Sequence, residues 1–126
     1  MNRNTLMETL GIEFTDVGPD FLVATMPVGP RVYQPMKLLH GGANVALAES
    51  VGSCGSYIVL ADLKKAVVGL EVNANHLRSK SDGVVTARGT LVHKGSRTHV
   101  WEIRITDEEE KLISLCRLTN MILEAK

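Results

Sequence analysis

The chain has 126 residues, 44% of them hydrophobic, with 14 basic and 14 acidic side chains and a formal net charge of zero. That length fits one domain, 1–126, with a modest core, and small domains of this kind often self-associate. The balanced charge lacks the basic excess or stripe of a nucleic-acid binder, so no nucleic-acid partner is expected.

Residues 2–10 read as a short amphipathic helix, with Leu6 and Leu10 four apart and Gly11 positioned to end it. The opening MNRNTLMETL has no apolar run of the signal-peptide kind, which points to a cytoplasmic protein. Residues 12–17 and 21–28 read as two strands joined by a Gly18-Pro19-Asp20 turn. Residues 29–38 form an irregular connection with two prolines, and a loop of that length in a small domain is often functional.

Residues 41–61 then read as one long helix. Leu47, Val51, Cys54 and Ile58 would form an apolar stripe on it. Ala48, Gly52, Gly55 and Val59 would form an adjoining small-residue face for close backbone approach. Glu49, Ser53 and Ser56 would lie together on the remaining side. The stretch 38–61 holds Glu49, four glycines and several serines, a poor membrane span, so no membrane partner is expected.

Period-two alternation follows in 66–78, 84–93, 98–107 and 112–123, with turns at 81–83, 94–96 and 107–111. In the third of these strands His99, Trp101, Ile103 and Ile105 share a face opposite Glu102 and Arg104. The fold class is α+β: a long central helix wrapped by a curved antiparallel β-sheet. The two cysteines, Cys54 and Cys116, sit in apolar stretches and read as buried free thiols.

Five places carry candidate chemistry. His40-Gly41-Gly42 opens the long helix, where unpaired amides and the positive dipole end suit an oxyanion. Taken alone, the same letters are equally consistent with a plain turn. Glu49 is the one charge between 38 and 61, and a partly desolvated carboxylate is a candidate general base. Periodicity alone favours a solvated helix residue over a catalytic one, and Glu49 lies about 12 Å along the axis from Gly41. A site using both therefore needs a spanning substrate or a second copy of the chain. Gln34 offers a loop amide to a carbonyl. His76 with Arg78, and the basic turn from His93 to Arg97, could hold phosphates. No His/Cys/Asp cluster has metal-ligand spacing, and no phosphate-binding or serine-nucleophile motif occurs, so neither metal nor cofactor is expected.

Gln34-Pro35, Leu38-Leu39-His40-Gly41-Gly42-Ala43 and Leu47-Ala48-Glu49-Ser50-Val51-Gly52-Ser53 resemble the active-site region of hotdog-fold thioesterases. Within that fold the resemblance is to the branch that uses a helix glutamate. Val67 through Arg78, His93 through Arg97, Val100-Trp101 and Arg117-Leu118-Thr119 extend the resemblance over nearly the whole chain. The group resembled is that of the 1,4-dihydroxy-2-naphthoyl-CoA thioesterases of menaquinone synthesis and their enterobactin-pathway proofreading relatives, which are PaaI-like.

The resemblance implies a hotdog fold paired into dimers that join as tetramers, with active sites between protomers and an acyl-CoA substrate. It implies that the Gly41 N–H holds the thioester oxygen, Gln34 orients the carbonyl and His40 lines the site. Glu49 is the nucleophile or general base, and Ser53 positions water. Gly69 lies near the acyl or pantetheine path. His76, Leu77, Arg78 and Ser79, with His93, Lys94, Gly95, Ser96, Arg97 and Thr98, contact coenzyme A. Aromatic acyl groups are the first expectation. An acyl-thioester hydratase or dehydratase using His40 as base, and a non-catalytic acyl-CoA-binding module, are the alternatives.

Overall fold

A computed structural model of the chain describes residues 3–125. The elements run α1 (Leu6–Leu10), β1 (Glu13–Val17), β2 (Phe21–Pro27), a short 3-10 turn (Pro30–Val32), α2 (Gly41–Leu60), β3 (Lys65–His76), β4 (Val84–Lys94), β5 (Thr98–Thr106) and β6 (Leu112–Glu124). The first helix is shorter than the sequence suggested, and residue 2 lies outside the described residues. Thr5 caps it by accepting the Glu8 N–H, and Gly11 ends it in the left-handed region at φ 72°. Its orientation corrects the Leu6/Leu10 reading: Leu6 is exposed, and Met7 joins Leu10 against the core.

All six strands form one antiparallel sheet in the order β1-β2-β4-β5-β6-β3. The β4–β5 and β5–β6 hairpins fall where the turns were read. The 81–83 turn does not close a hairpin, because β3 pairs with β6 and β4 pairs with β2. Residues 77–83 instead carry the chain from the β3 edge to the middle of the sheet. Leu77 and Arg78 donate their N–H groups to the Ile113 carbonyl, and further along the Leu39 N–H donates to the Lys80 carbonyl and the Val28 N–H to the Gly83 carbonyl, both at 2.8 Å. Those bonds satisfy groups that a hairpin ladder would otherwise pair.

The face that α2 turns to the sheet is mainly its small-residue side. Ala48, Gly52 and Gly55 are buried there together with Leu47 and Val51. The expected apolar stripe fades toward its end, since Cys54 is half-buried and Ile58 is exposed. The reason is close approach: a Cβ at Gly55 would lie 2.6 Å from the Trp101 ring, which is wholly buried.

Ser56 is also buried rather than grouped on the outer side with Glu49. Its hydroxyl lies 2.8 Å from His99 Nδ1 and accepts from Trp101 Nε1 at 2.8 Å and Asn120 Nδ2 at 3.0 Å. His99, Trp101, Ile103 and Ile105 all point inward, as their alternation required. At the other side of the sheet β3 is an edge strand that leaves Val68 and Leu70 exposed. Among the described residues, no helix is long and apolar enough to cross a membrane.

Candidate active site

The loop before α2 is stitched to itself. Tyr33 bridges Leu39, the Gln34 N–H donates to the Leu38 carbonyl at 2.8 Å, and the Lys37 N–H donates to the Gln34 carbonyl at 2.9 Å. The Met36 N–H donates to Gln34 Oε1. That bond turns the amide oxygen to Met36 and leaves the NH2 group with no hydrogen bond among the described residues.

His40 is the N-cap of α2. Its Nδ1 accepts the Gly42 N–H at 2.8 Å, and its carbonyl accepts the Ala43 N–H at 3.0 Å. Gly41 is thereby left as the amide at this helix start with no hydrogen bond among the described residues, which suits a developing negative charge. The His40 ring borders a separate depression with Leu6, Arg31 and Tyr33, so it shapes the helix start rather than facing the Gln34–Gly41 cavity. That cavity, of about 330 Å³, is lined by Gln34, Gly41, Asn44, His76, Arg78 and Ser79 among others. Leu77 belongs to it as well.

Glu49 lies in a different cavity, of about 360 Å³, with Ser50, Ser53, Cys54, the α1 cap Thr5 and the α1 residues Leu6 and Met7. The Ser50 hydroxyl is turned back to the Ala46 carbonyl at 2.7 Å, which leaves Ser53 as the hydroxyl beside Glu49. The carboxylate rests against β3 at Gly69, where Glu49 Oε2 fills the space a Cβ would need. An apolar cavity of about 630 Å³ adjoins it, sharing Met7 and Cys54 and continuing to Phe14, Val17, Tyr57 and Ile58. Burial pushes the Cys54 thiol above its ordinary range, which keeps it an apolar lining group rather than a nucleophile. Met7 and Tyr57 were not singled out from sequence. Tyr57 had a signal, since it follows Glu49 by eight residues and so shares its side of the helix.

Strand register sorts these residues. Gly69 is opposite Asn120, which is in turn opposite His99, so the His93-to-Thr98 hairpin flanks the Glu49 end of the sheet. Within that hairpin the Gly95 N–H donates to the Thr98 carbonyl at 2.8 Å. His76 is opposite Ser114, at the far end of β3. Gly69 and His76 are seven residues apart, about 23 Å along an extended strand. One chain therefore gathers Gln34, Gly41 and His76 through Ser79 at one end. It gathers Glu49, Ser53, Gly69 and the basic hairpin at the other, and does not bring the two groups together. Among the described residues, no group of three or more His, Cys, Asp or Glu side chains is placed to hold a metal ion.

Residues 36–114 match the family model of the thioesterase superfamily. The chain is 48% identical over 123 residues to the 1,4-dihydroxy-2-naphthoyl-CoA hydrolase of Escherichia coli K12, which covers 98% of this chain and 90% of that protein. It is 44% identical over 119 residues to the proofreading thioesterase EntH of Cronobacter turicensis, covering 94% and 86% of the two. A thioesterase crystal structure from Haemophilus influenzae aligns with a TM-score of 0.94 at 46% identity, over 98% of this chain and 85% of that one.

Proposed function

This chain belongs to the thioesterase superfamily and has the hotdog-like fold of a thioester hydrolase, and from that premise we propose that it hydrolyses aromatic acyl-CoA thioesters at a site completed by two copies of the chain. The observation that carries the reading is the placement of two half-sites along one open edge strand. Glu49 sits on β3 at Gly69, and Gly41 sits on β3 at His76. Antiparallel pairing of β3 with a second copy, centred between those positions, sets Gly69 of one chain near His76 of the other. Glu49 and Ser53 from one protomer then face Gly41 and Gln34 from its partner.

In that arrangement the Gly41 N–H holds the thioester oxygen and the Gln34 amide steadies the carbonyl. Glu49 takes a proton from a water held by Ser53, and the water oxygen bonds to the carbonyl carbon. Collapse of the tetrahedral intermediate expels the thiolate, which takes up the proton that Glu49 received from the water. Direct attack by the Glu49 carboxylate, followed by hydrolysis of the anhydride, uses the same geometry. The reaction needs water alone, with no metal or cofactor. The apolar cavity beside Glu49 suits the acyl group, with 1,4-dihydroxy-2-naphthoyl first and benzoyl-like rings next. Arg78 and the basic hairpin suit the phosphates of coenzyme A. The hydratase reading, with His40 as base, fits less well, because His40 Nδ1 is engaged by the Gly42 N–H.

The test is thiol release from a panel of aromatic and aliphatic acyl-CoAs by wild type and Glu49→Gln, with circular dichroism as a folding control. The variant is expected to lose at least ~100-fold in turnover, as for loss of a positioned acid–base group. Near-normal turnover by folded Glu49→Gln would remove the carboxylate from the mechanism.

A further inference from the structure

Resting on the thioester reading, we propose that His76 is a catalytic residue, whose Nε2–H is a second donor to the thioester oxygen beside the Gly41 N–H. The first support is distance. A Cβ on Gly41 would lie 2.7 Å from His76 Nε2 and 2.9 Å from its Cδ2, so the imidazole edge occupies the place of the missing side chain. A backbone nitrogen lies about 2.5 Å from its own Cβ, which puts Nε2 within about 5.2 Å of the Gly41 nitrogen. Two donors that close can share one oxygen at about 2.9 Å from each, the arrangement of an oxyanion hole.

The second support is the far side of the ring. His76 Nδ1 lies 2.9 Å from Ser114 Oγ, whose one hydroxyl proton can go to Nδ1 or, at 3.3 Å, to the Asn75 carbonyl, with Cys116 Sγ 3.4 Å away. The contact to His76 is the shortest of the three. A Ser114 hydroxyl that donates to Nδ1 places the imidazole proton on Nε2, the atom facing Gly41. Ser114 is fully buried and stands opposite His76 in the β3–β6 register, so it anchors the ring rather than following it.

A third observation marks the cavity as one built for a polar ligand. Asn44 is 3% exposed, lines the same cavity, and has a buried Oδ1 with no hydrogen-bond partner among the described residues. It lies three residues after Gly41 on the same helix face, and helical side chains lean toward the helix start. An acceptor so placed suits one of the amide N–H groups of the pantetheine arm, which must pass here if the carbonyl oxygen sits on Gly41.

In the step served, the water oxygen bonds to the carbonyl carbon, its proton goes to the carboxylate, and the carbonyl π pair moves onto oxygen. Gly41 and His76 hold that oxygen, and His76 keeps its proton throughout. Collapse returns the pair to carbon and the thiolate leaves.

The experiment measures kcat and KM for benzoyl-CoA with wild type, His76→Ala and His76→Gln, all checked for fold by circular dichroism. A lost oxyanion donor lowers kcat by roughly 100-fold or more, and KM should shift by less than about threefold. The glutamine side-chain amide brings an N–H near the Nε2 position, so His76→Gln should recover at least about tenfold of kcat over the alanine variant. If His76→Ala fails to fold, the kcat of His76→Gln against the 100-fold scale decides. A raised KM with kcat within about twofold of wild type overturns the proposal and leaves His76 as a coenzyme A contact. The thioester reading fails separately, if wild type releases no thiol from any acyl-CoA.

Discussion

Gly69 lacks a side chain where Glu49 needs room, and that contact gives a direct handle on the carboxylate. A Cβ at position 69 would overlap Glu49 Oε2, the far end of a flexible side chain, whereas the strand itself would feel little. Gly69→Ala should therefore displace the carboxylate by about 1 Å without unfolding the chain, and misplacement of that size costs up to roughly 100-fold in turnover. The check is kcat on benzoyl-CoA beside a thermal melt: a drop of at least tenfold is expected, with a melting temperature within a few degrees of wild type. Unchanged turnover would mean that Glu49 works from another pose. At this scale the sequence was informative about types and poor about directions. His40-Gly41-Gly42 announced an amide-rich helix start, but only the structure shows that the His40 ring turns away to cap Gly42 and leaves the Gly41 N–H without a partner among the described residues.

The helix α2 shows what periodicity reads and what it omits. Its existence and its start at Gly41 follow from composition and spacing, and its bounds, Gly41–Leu60, nearly match the range read from sequence. Which face is buried did not follow, because the partners of Ser56 (His99, Trp101 and Asn120) stand 43, 45 and 64 residues away along the chain. The β3–β6 pairing was hidden for the same reason: alternation identifies strands, while a crossing segment decides their neighbours.

The cluster under α2 carries a pH prediction. Ser56 Oγ accepts from both Trp101 and Asn120, so its own proton goes to His99 Nδ1, which fixes a neutral imidazole. Burial first, then Lys94 and His93, hold the His99 pKa below its ordinary value of 6.5. Below that value the unfolded chain takes up a proton that the folded chain refuses. The contribution is thus fully present above the ordinary value and is lost as pH falls through it toward the folded value. Urea unfolding at about pH 8 and about pH 5.5 should show stability declining by at most about 1.4 kcal/mol per pH unit from this group. A folded His99→Asn variant should show a shallower decline. An equal decline in both proteins would clear His99 of the effect.

At the scale of the whole molecule, the sheet ends at β3, an edge strand with exposed Val68 and Leu70, and the two proposed half-sites meet it at Gly69 and at His76. An open edge of this kind is a liability unless something pairs with it. The sequence held a trace of the arrangement, since eight residues of helix already separate Glu49 from Gly41 by about 12 Å. The strand that bridges the gap was legible as 66–78, but its place at the sheet edge was not. If each working site takes Glu49 from one protomer and Gly41 from the other, two inactive variants should repair one another. Glu49→Gln removes the carboxylate, and Gly41→Val puts a side chain into the space held by His76. Mixed by co-expression at equal levels, half of the dimers are hybrids, and each hybrid has one site with both defects and one with neither. Activity should then return to about a quarter of the wild-type value, although each variant alone is nearly inactive. A site built within one chain predicts no recovery, because every chain in the mixture carries a defect. Hybrids isolated with two different affinity tags and still devoid of activity would therefore defeat the shared site while leaving the fold and family untouched.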